Sequence, residues 1–266
     1  MIMVRLKTGQ KIFIGFSVVL MIVIIVCFIV AYRMEKPLND AQKVFLTVAE
    51  QVVIEPEKTD SEANNDVDAN FLKEIDFDYL TSVNSDVKCW LYIPDTIINY
   101  PVMQENTVGE YSYLWTGLDK KWNGIGSLFT PAEPYDSAKD AHMLIFGHET
   151  YNGSMFGTLN RTYRMYDSMA EHEYAYLYYP DRVEKYKIAL SKNIKSDDEV
   201  YELPYTFGAS NYAHMIDGLK NNTVCVNDDT NLDEYKETLV LSTCRTNAGS
   251  TARFVAVFVK VDIYNY

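Results

Sequence analysis

Histidine and cysteine are both scarce, with four of each in 266 residues. Four cysteines over that length do not make a disulfide scaffold. No two of them form C-x-x-C. Two histidines begin an H-E-x-x-H pattern, at His148-Glu149-Thr150-Tyr151-Asn152 and His172-Glu173-Tyr174-Ala175-Tyr176, and both lack the second histidine. The usual zinc signatures are therefore missing. So are G-x-G-x-x-G and the P-loop, the glycine loops that cradle nucleotides. Twelve glycines and eight prolines are too few for a collagen-like or low-complexity chain. Basic residues are outnumbered, 24 Lys+Arg against 37 Asp+Glu, for a net charge of −13. A nucleic-acid binder shows the opposite balance. The expectation is no metal, no cofactor and no nucleic-acid partner.

What is present begins with one apolar run. Ile12 to Tyr32 is 21 residues without a charge. At a helical rise of about 1.5 Å per residue it spans about 30 Å, the thickness of a bilayer core. It ends in Val30-Ala31-Tyr32-Arg33, with no small-x-small cleavage pattern, which favours an uncleaved anchor over a cleaved signal peptide. Residues 1–33 hold Arg5, Lys7, Lys11 and Arg33 and no acid, so the remainder is acidic throughout. Arg33, Lys36 and Lys43 nearly balance the cations before the run. The shortness of the leading tail then favours an inside N-terminus and an outside body. The expected plan is a cytoplasmic tail over 1–11, a single membrane anchor over 12–32, a helical stalk and acidic linker over 33–69, and an extracytoplasmic catalytic domain over 70–266.

Apolar residues at Leu38, Ala41, Val44, Phe45, Val48, Ala49 and Val52 predict an amphipathic helix over Pro37–Ile54. Residues 55–69 are acidic and polar and read as a linker. Phe71, Leu72, Ile75, Phe77 and Leu80 predict a short helical stretch ending near Asn84. From Lys88 the pattern turns to short β-runs. These are Cys89–Pro94, Ile97–Met103, Gly126–Thr130, His142–Phe146, Tyr174–Tyr179, Val183–Lys195, Thr223–Val226, Thr238–Thr243 and Ala252–Val261, with one helix over 209–221. Many strands and few helices predict a mainly β barrel or sandwich.

Two positions at strand ends stand out as places for chemistry. His148 follows the apolar strand Ile145-Phe146-Gly147. Cys244 closes Leu239-Val240-Leu241-Ser242-Thr243-Cys244, and Arg253 opens the next strand. Taken singly, each has an ordinary structural reading: a packed thiol, a satisfied imidazole, a surface ion-pair partner. Cys27 lies within the apolar run. Cys89 and Cys225 read as core, and spacing does not decide whether those two are paired. His142, His172 and His214 read as structural or solvated.

Taken together, Val240-Leu241-Ser242-Thr243-Cys244, Arg253 nine residues on and His148 96 residues earlier resemble a sortase, whose signature is T-L-x-T-C with an upstream His and a following Arg. Trp90-Leu91-Tyr92-Ile93-Pro94, Asn99-Tyr100-Pro101-Val102 and Gly153-Ser154-Met155-Phe156 with Leu159 resemble class B of that family. The resemblance covers roughly residues 70–262. Val240 stands where the signature has its first Thr, and is expected to pack inward. Glu149 stands where Asn is common after the His.

The resemblance implies a closed eight-stranded β-barrel with N-terminal helices and a helix between strands six and seven. It implies a cysteine transpeptidase with Cys244 as nucleophile, His148 as acid and base, and Arg253 holding the oxyanion. Ser242 and Thr243 would line the peptide groove, and Ser210 and Tyr212 would contribute from the helix. The implied partners are the sorting-signal peptide of a surface protein or pilin, cleaved after Thr, and an amine acceptor from a peptidoglycan precursor or a pilin Lys. Anchoring to the wall and pilin polymerisation share these residues, so both remain open. A catalytically inactive binding module and a thiol hydrolase using water are further alternatives.

Overall fold

The computed structural model describes residues 7–54, 74–107, 111–132, 141–202, 209–234, 237–244 and 251–266, and gives the backbone alone for Ile54, Glu234 and Cys244. The acidic segment 55–69, and Phe71 and Leu72 of the predicted helical stretch, therefore lie outside the described residues.

Helix α1 runs from Thr8 to Val52 without a break. Two separate helices were expected, one crossing the bilayer and one starting at Pro37. Pro37 instead lies inside a single helix. A proline removes one backbone N–H and strains the preceding turn. Here good helix formers flank it, Met34, Glu35 and Lys36 before and Leu38 after, and the helix carries through. Beyond Pro37 the helix joins the body: Phe45, Val48, Ala49 and Val52 are buried in the main core. The Phe45 ring meets Tyr100 edge-on at 5.8 Å. Strand β1 (Val53–Ile54) follows directly and pairs with β2 (Glu74–Ile75). Helix α2 (Phe77–Val83) is capped by Asp76, whose carboxylate accepts from the Tyr79 amide at 2.8 Å.

The body is a closed mixed barrel. Its strands are β3 (Val87–Tyr92), β4 (Asn99–Gln104), β5 (Leu128–Thr130), β6 (His142–Gly147), β7 (Tyr174–Tyr178), β8 (Arg182–Lys195), β10 (Thr238–Cys244) and β11 (Ala252–Asn265). The order is β11-β10-β6-β5-β4-β3-β7-β8, and β8 pairs back onto β11 to close the ring. The pairs β4–β5 and β6–β10 are parallel and the others antiparallel. The short β9 (Thr223–Val226) adds to β8. Between β6 and β7 lie two short helices, α3 (Leu159–Tyr163) and α4 (Tyr166–Glu171), which the strand pattern did not predict. Helix α5 (Ser210–Lys220) lies between β8 and β10, the sixth and seventh barrel strands, as expected.

Alternation along the strands produces two cores. Leu239 and Leu241 of β10 and Phe254, Ala256 and Phe258 of β11 fill the barrel interior. Val240, Val255, Val257 and Val259 face out and are covered by Tyr212, Met215, Ile216 and Leu219 of α5. Val240 is thus fully buried, but beneath α5 rather than inside the barrel.

Candidate active site

The floor of the site is the parallel pair β6–β10 with β11 beside it. The register pairs Ser242 with Phe146 and Thr243 with Gly147. On the other side it pairs Ser242 with Val255, Thr243 with Phe254 and Cys244 with Arg253. Three neighbouring strand ends therefore carry His148, Cys244 and Arg253. Residues 148 and 244 each lie one step beyond the Gly147–Thr243 pair. Gly147, just before His148, has no room for a side chain: a Cβ there would meet Leu128 Cδ2 at 2.5 Å and Phe156 Cδ2 at 2.6 Å.

His148 is partly buried and held on two sides. Its Nε2 lies 2.7 Å from the carbonyl oxygen of Leu114. A carbonyl only accepts, so the proton sits on Nε2 and leaves Nδ1 as the ring acceptor. The Trp115 ring packs against the imidazole with centroids 4.8 Å apart. Burial pulls the His148 pKa below its ordinary 6.5, and the Leu114 carbonyl opposes that shift by favouring the charged ring. The His148 backbone is fixed as well, since its carbonyl accepts from the Phe156 amide at 3.0 Å. The intervening loop closes through a Glu149–Met155 bridge.

The turn that carries Leu114 is held by a buried carboxylate. Glu105 is 3% exposed and accepts from the Tyr113 amide at 2.8 Å and from Ser112 Oγ at 2.7 Å. The Tyr113 hydroxyl donates to Asp86 at 2.7 Å. Burial acts to raise the Asp86 pKa, and hydrogen bonds from Tyr113 and Lys120 more than offset it, so the carboxyl lies below its ordinary value. Glu105, Leu114 and Trp115 were not singled out from the sequence. The one hint was an apolar Tyr-Leu-Trp cluster in an otherwise polar loop.

Arg253 is partly exposed at the start of β11, and its Nη1 donates to the Ala252 carbonyl at 3.0 Å. Ser242 is buried, with Oγ 2.8 Å from the Tyr201 hydroxyl. Tyr201 stacks on Phe146 at 5.6 Å, and Phe146 also meets Tyr111 at 5.8 Å and Phe129 at 5.4 Å. These rings form an aromatic wall beside the strand ends. Thr243 is buried. Ser210 is exposed at the first turn of α5, whereas Tyr212 is buried under that helix with its hydroxyl 3.4 Å from Thr238 Oγ1.

Cys89 and Cys225 are free thiols, and Cys89 is fully buried. His142 is buried with Nδ1 2.8 Å from Thr238 Oγ1, and His214 is exposed beside Glu199. Among the described residues, no three His, Cys, Asp or Glu side chains come together as a metal site.

This constellation can be set beside known proteins. A family model described as the sortase domain matches residues 91–261. Sortase B of Staphylococcus aureus is 23% identical over 186 residues, covering 70% of this chain and 74% of the relative. Sortase B of Listeria monocytogenes is 33% identical over 93 residues, covering 35% and 37%. Among solved structures, a Staphylococcus aureus sortase B-substrate complex superposes with a TM-score of 0.61 at 21% identity, covering 70% of this chain and 84% of that one. The barrel, the helix between its sixth and seventh strands and the matched segment agree: the chain belongs to the sortase family, in its class B.

Proposed function

We propose that this protein is a membrane-anchored cysteine transpeptidase that cleaves a C-terminal sorting signal after Thr and passes the acyl group to an amine, anchoring surface proteins to peptidoglycan. The observation that carries the reading is the strand register, which pairs Cys244 with Arg253 and places His148 one residue past the partner of Thr243. Residues two apart on a strand share a face. Cys244 is two beyond Ser242, and His148 two beyond Phe146. All three candidates then belong to the outer face beside the aromatic wall, where an extended peptide can approach. A matched Staphylococcus aureus sortase B has been solved as a substrate complex, which supports a peptide substrate here.

The cycle runs through one proton. His148 Nδ1 takes the thiol proton as sulfur attacks the scissile carbonyl carbon. The oxyanion that forms lies against the Arg253 guanidinium, whose fixed charge and fork geometry suit it. The proton then passes from Nδ1 to the departing amine as the C–N bond breaks, leaving a thioester on Cys244. The acceptor amine attacks the thioester and gives its proton to Nδ1. The thiolate leaves and is reprotonated from the same nitrogen. The Leu114 carbonyl stabilises the imidazolium each time it forms. Ser242, Thr243, Ser210 and Tyr212 are proposed to shape the groove, with the two buried hydroxyl side chains of the strand acting through its shape. A pilin Lys would serve as acceptor by the same steps.

Cys244→Ala should abolish cleavage of every sorting peptide that the parent accepts, and a thiol reagent should modify Cys244 before Cys89 and Cys225. Retained turnover in the variant would remove the reading. Mass analysis of products with and without added amine separates transfer from hydrolysis.

A further inference from the structure

The body is strongly acidic, yet one hairpin runs against that trend. It folds back through Gly117 N to the Lys121 carbonyl at 2.8 Å and Asn123 N to the Trp115 carbonyl at 2.8 Å, with Thr116 bridged to Trp122. Its tip carries Lys120 and Lys121, and the Trp122 ring beside them is 76% exposed. Lys120 pairs with Asp86 and Lys121 with Asp119. A second loop nearby carries Tyr151, 93% exposed.

Both loops are tied to one place on α1. A Cβ on Gly124, just after the hairpin, would lie 3.1 Å from Leu38 Cδ2. Asn152 Nδ2 donates to Asn39 Oδ1 at 3.0 Å and to Gln42 Oε1 at 3.2 Å. Leu38 and Gln42 are one helical turn apart on the same side of α1. Leu38 lies six residues past Tyr32, the last residue of the uncharged run, or about 9 Å along the axis. The headgroup layer takes up roughly 5–7 Å beyond the hydrocarbon. Arg33 and Lys36 lie in the intervening turn and a half. The two loops therefore meet the helix just above the level where headgroups end. Exposed Trp and Tyr with neighbouring Lys and Arg are the side chains that settle at that boundary.

We propose that the hairpin Trp115–Asn123, with Tyr151 beside it, rests on the anionic headgroup layer of the membrane that α1 enters. This rests on the reading of α1 as a membrane anchor. The same hairpin begins at Trp115, which packs on His148. The candidate site therefore opens close to the membrane surface.

The test uses the full chain reconstituted into vesicles of phosphatidylcholine and phosphatidylglycerol, with a fraction of the lipid carrying a nitroxide near its headgroup. Trp90 is fully buried. Trp115 is 50% exposed and has its ring held against His148, so lipid quenching of emission should come mainly from the more exposed Trp122, and Trp122→Phe should remove at least half of the quenched signal. Turnover of a soluble sorting peptide should stay within about two-fold. Equal quenching in parent and variant, with both chains retained on the vesicles after an alkaline wash, would overturn the membrane contact and leave the anchor reading intact. Release of the parent by that wash would overturn both.

Discussion

His148 is tuned by contacts that can be removed one at a time. The Trp115 ring shields one face, and burial is the main cause of its lowered pKa. The neutral ring is the competent form at the start of the proposed cycle. Activity should therefore fall as pH drops through the His148 pKa, on a limb lying below 6.5. Trp115→Ala admits water to the ring and should move that limb of kcat/KM upward, toward the ordinary value. A limb that stays in place would show that Trp115 does not control the ring. Arg253 offers a second residue-scale test. As an oxyanion donor, its change to Lys should cost roughly 10²–10³ in turnover, because the charge stays and the fork is lost. As a surface ion-pair partner it should cost less than about 1 kcal/mol of stability and little activity. Peptide turnover and the thermal midpoint of Arg253→Lys, measured together, decide between them.

At the scale of elements, the end of β6 has no room for a side chain. A methyl group on residue 147 would collide with Leu128 and Phe156. Gly147→Ala should destabilise the fold by about 1–3 kcal/mol, the usual cost of overpacking a core. It should also lower kcat by more than the lost stability explains, because His148 is the next residue. Urea unfolding and turnover measured at a temperature where both proteins are folded provide the check. The strands themselves were legible because period-two patterning is a local signal. Leu239, Val240 and Leu241 announce β10 but not its faces, since all three are apolar and Val240, expected to pack inward, lies beneath α5. The candidates Cys244, His148 and Arg253 were singled out for a different reason: their order and spacing resemble a signature. The contacts that tune the site were not legible. The Leu114 carbonyl carries no residue-type information, and Glu105 is one acid among many. Its role depends on burial that only the closed barrel creates. Helices α3 and α4, at five and six residues, are too short to show a 3.6-residue period.

For the whole molecule, the packed body starts earlier than the sequence suggested. The linker over 55–69 looked like a boundary, with a stalk before it. Yet Phe45, Val48, Ala49 and Val52 are inside the main core. A chain beginning at residue 34 should fold with the parent's stability. One beginning at residue 70 should lose more than about 3 kcal/mol, since burying one large apolar side chain is worth about 1.5–3 kcal/mol. Denaturant midpoints of the two truncations are the measurement. Equal midpoints would mean that the end of α1 merely rests on the barrel.

The unbroken path of α1 from the apolar run into the core makes it an angular ruler as well as a spacer. Each residue added to a continuous helix turns everything beyond it by about 100°. Two residues inserted after Glu35 would raise the barrel by only about 3 Å, but would swing its mouth about 200° around the helix axis, to the far side. Seven would lift it by about 10 Å and return it to within about 20° of its original heading. Height and compass bearing can thus be varied almost independently by the length of the insertion.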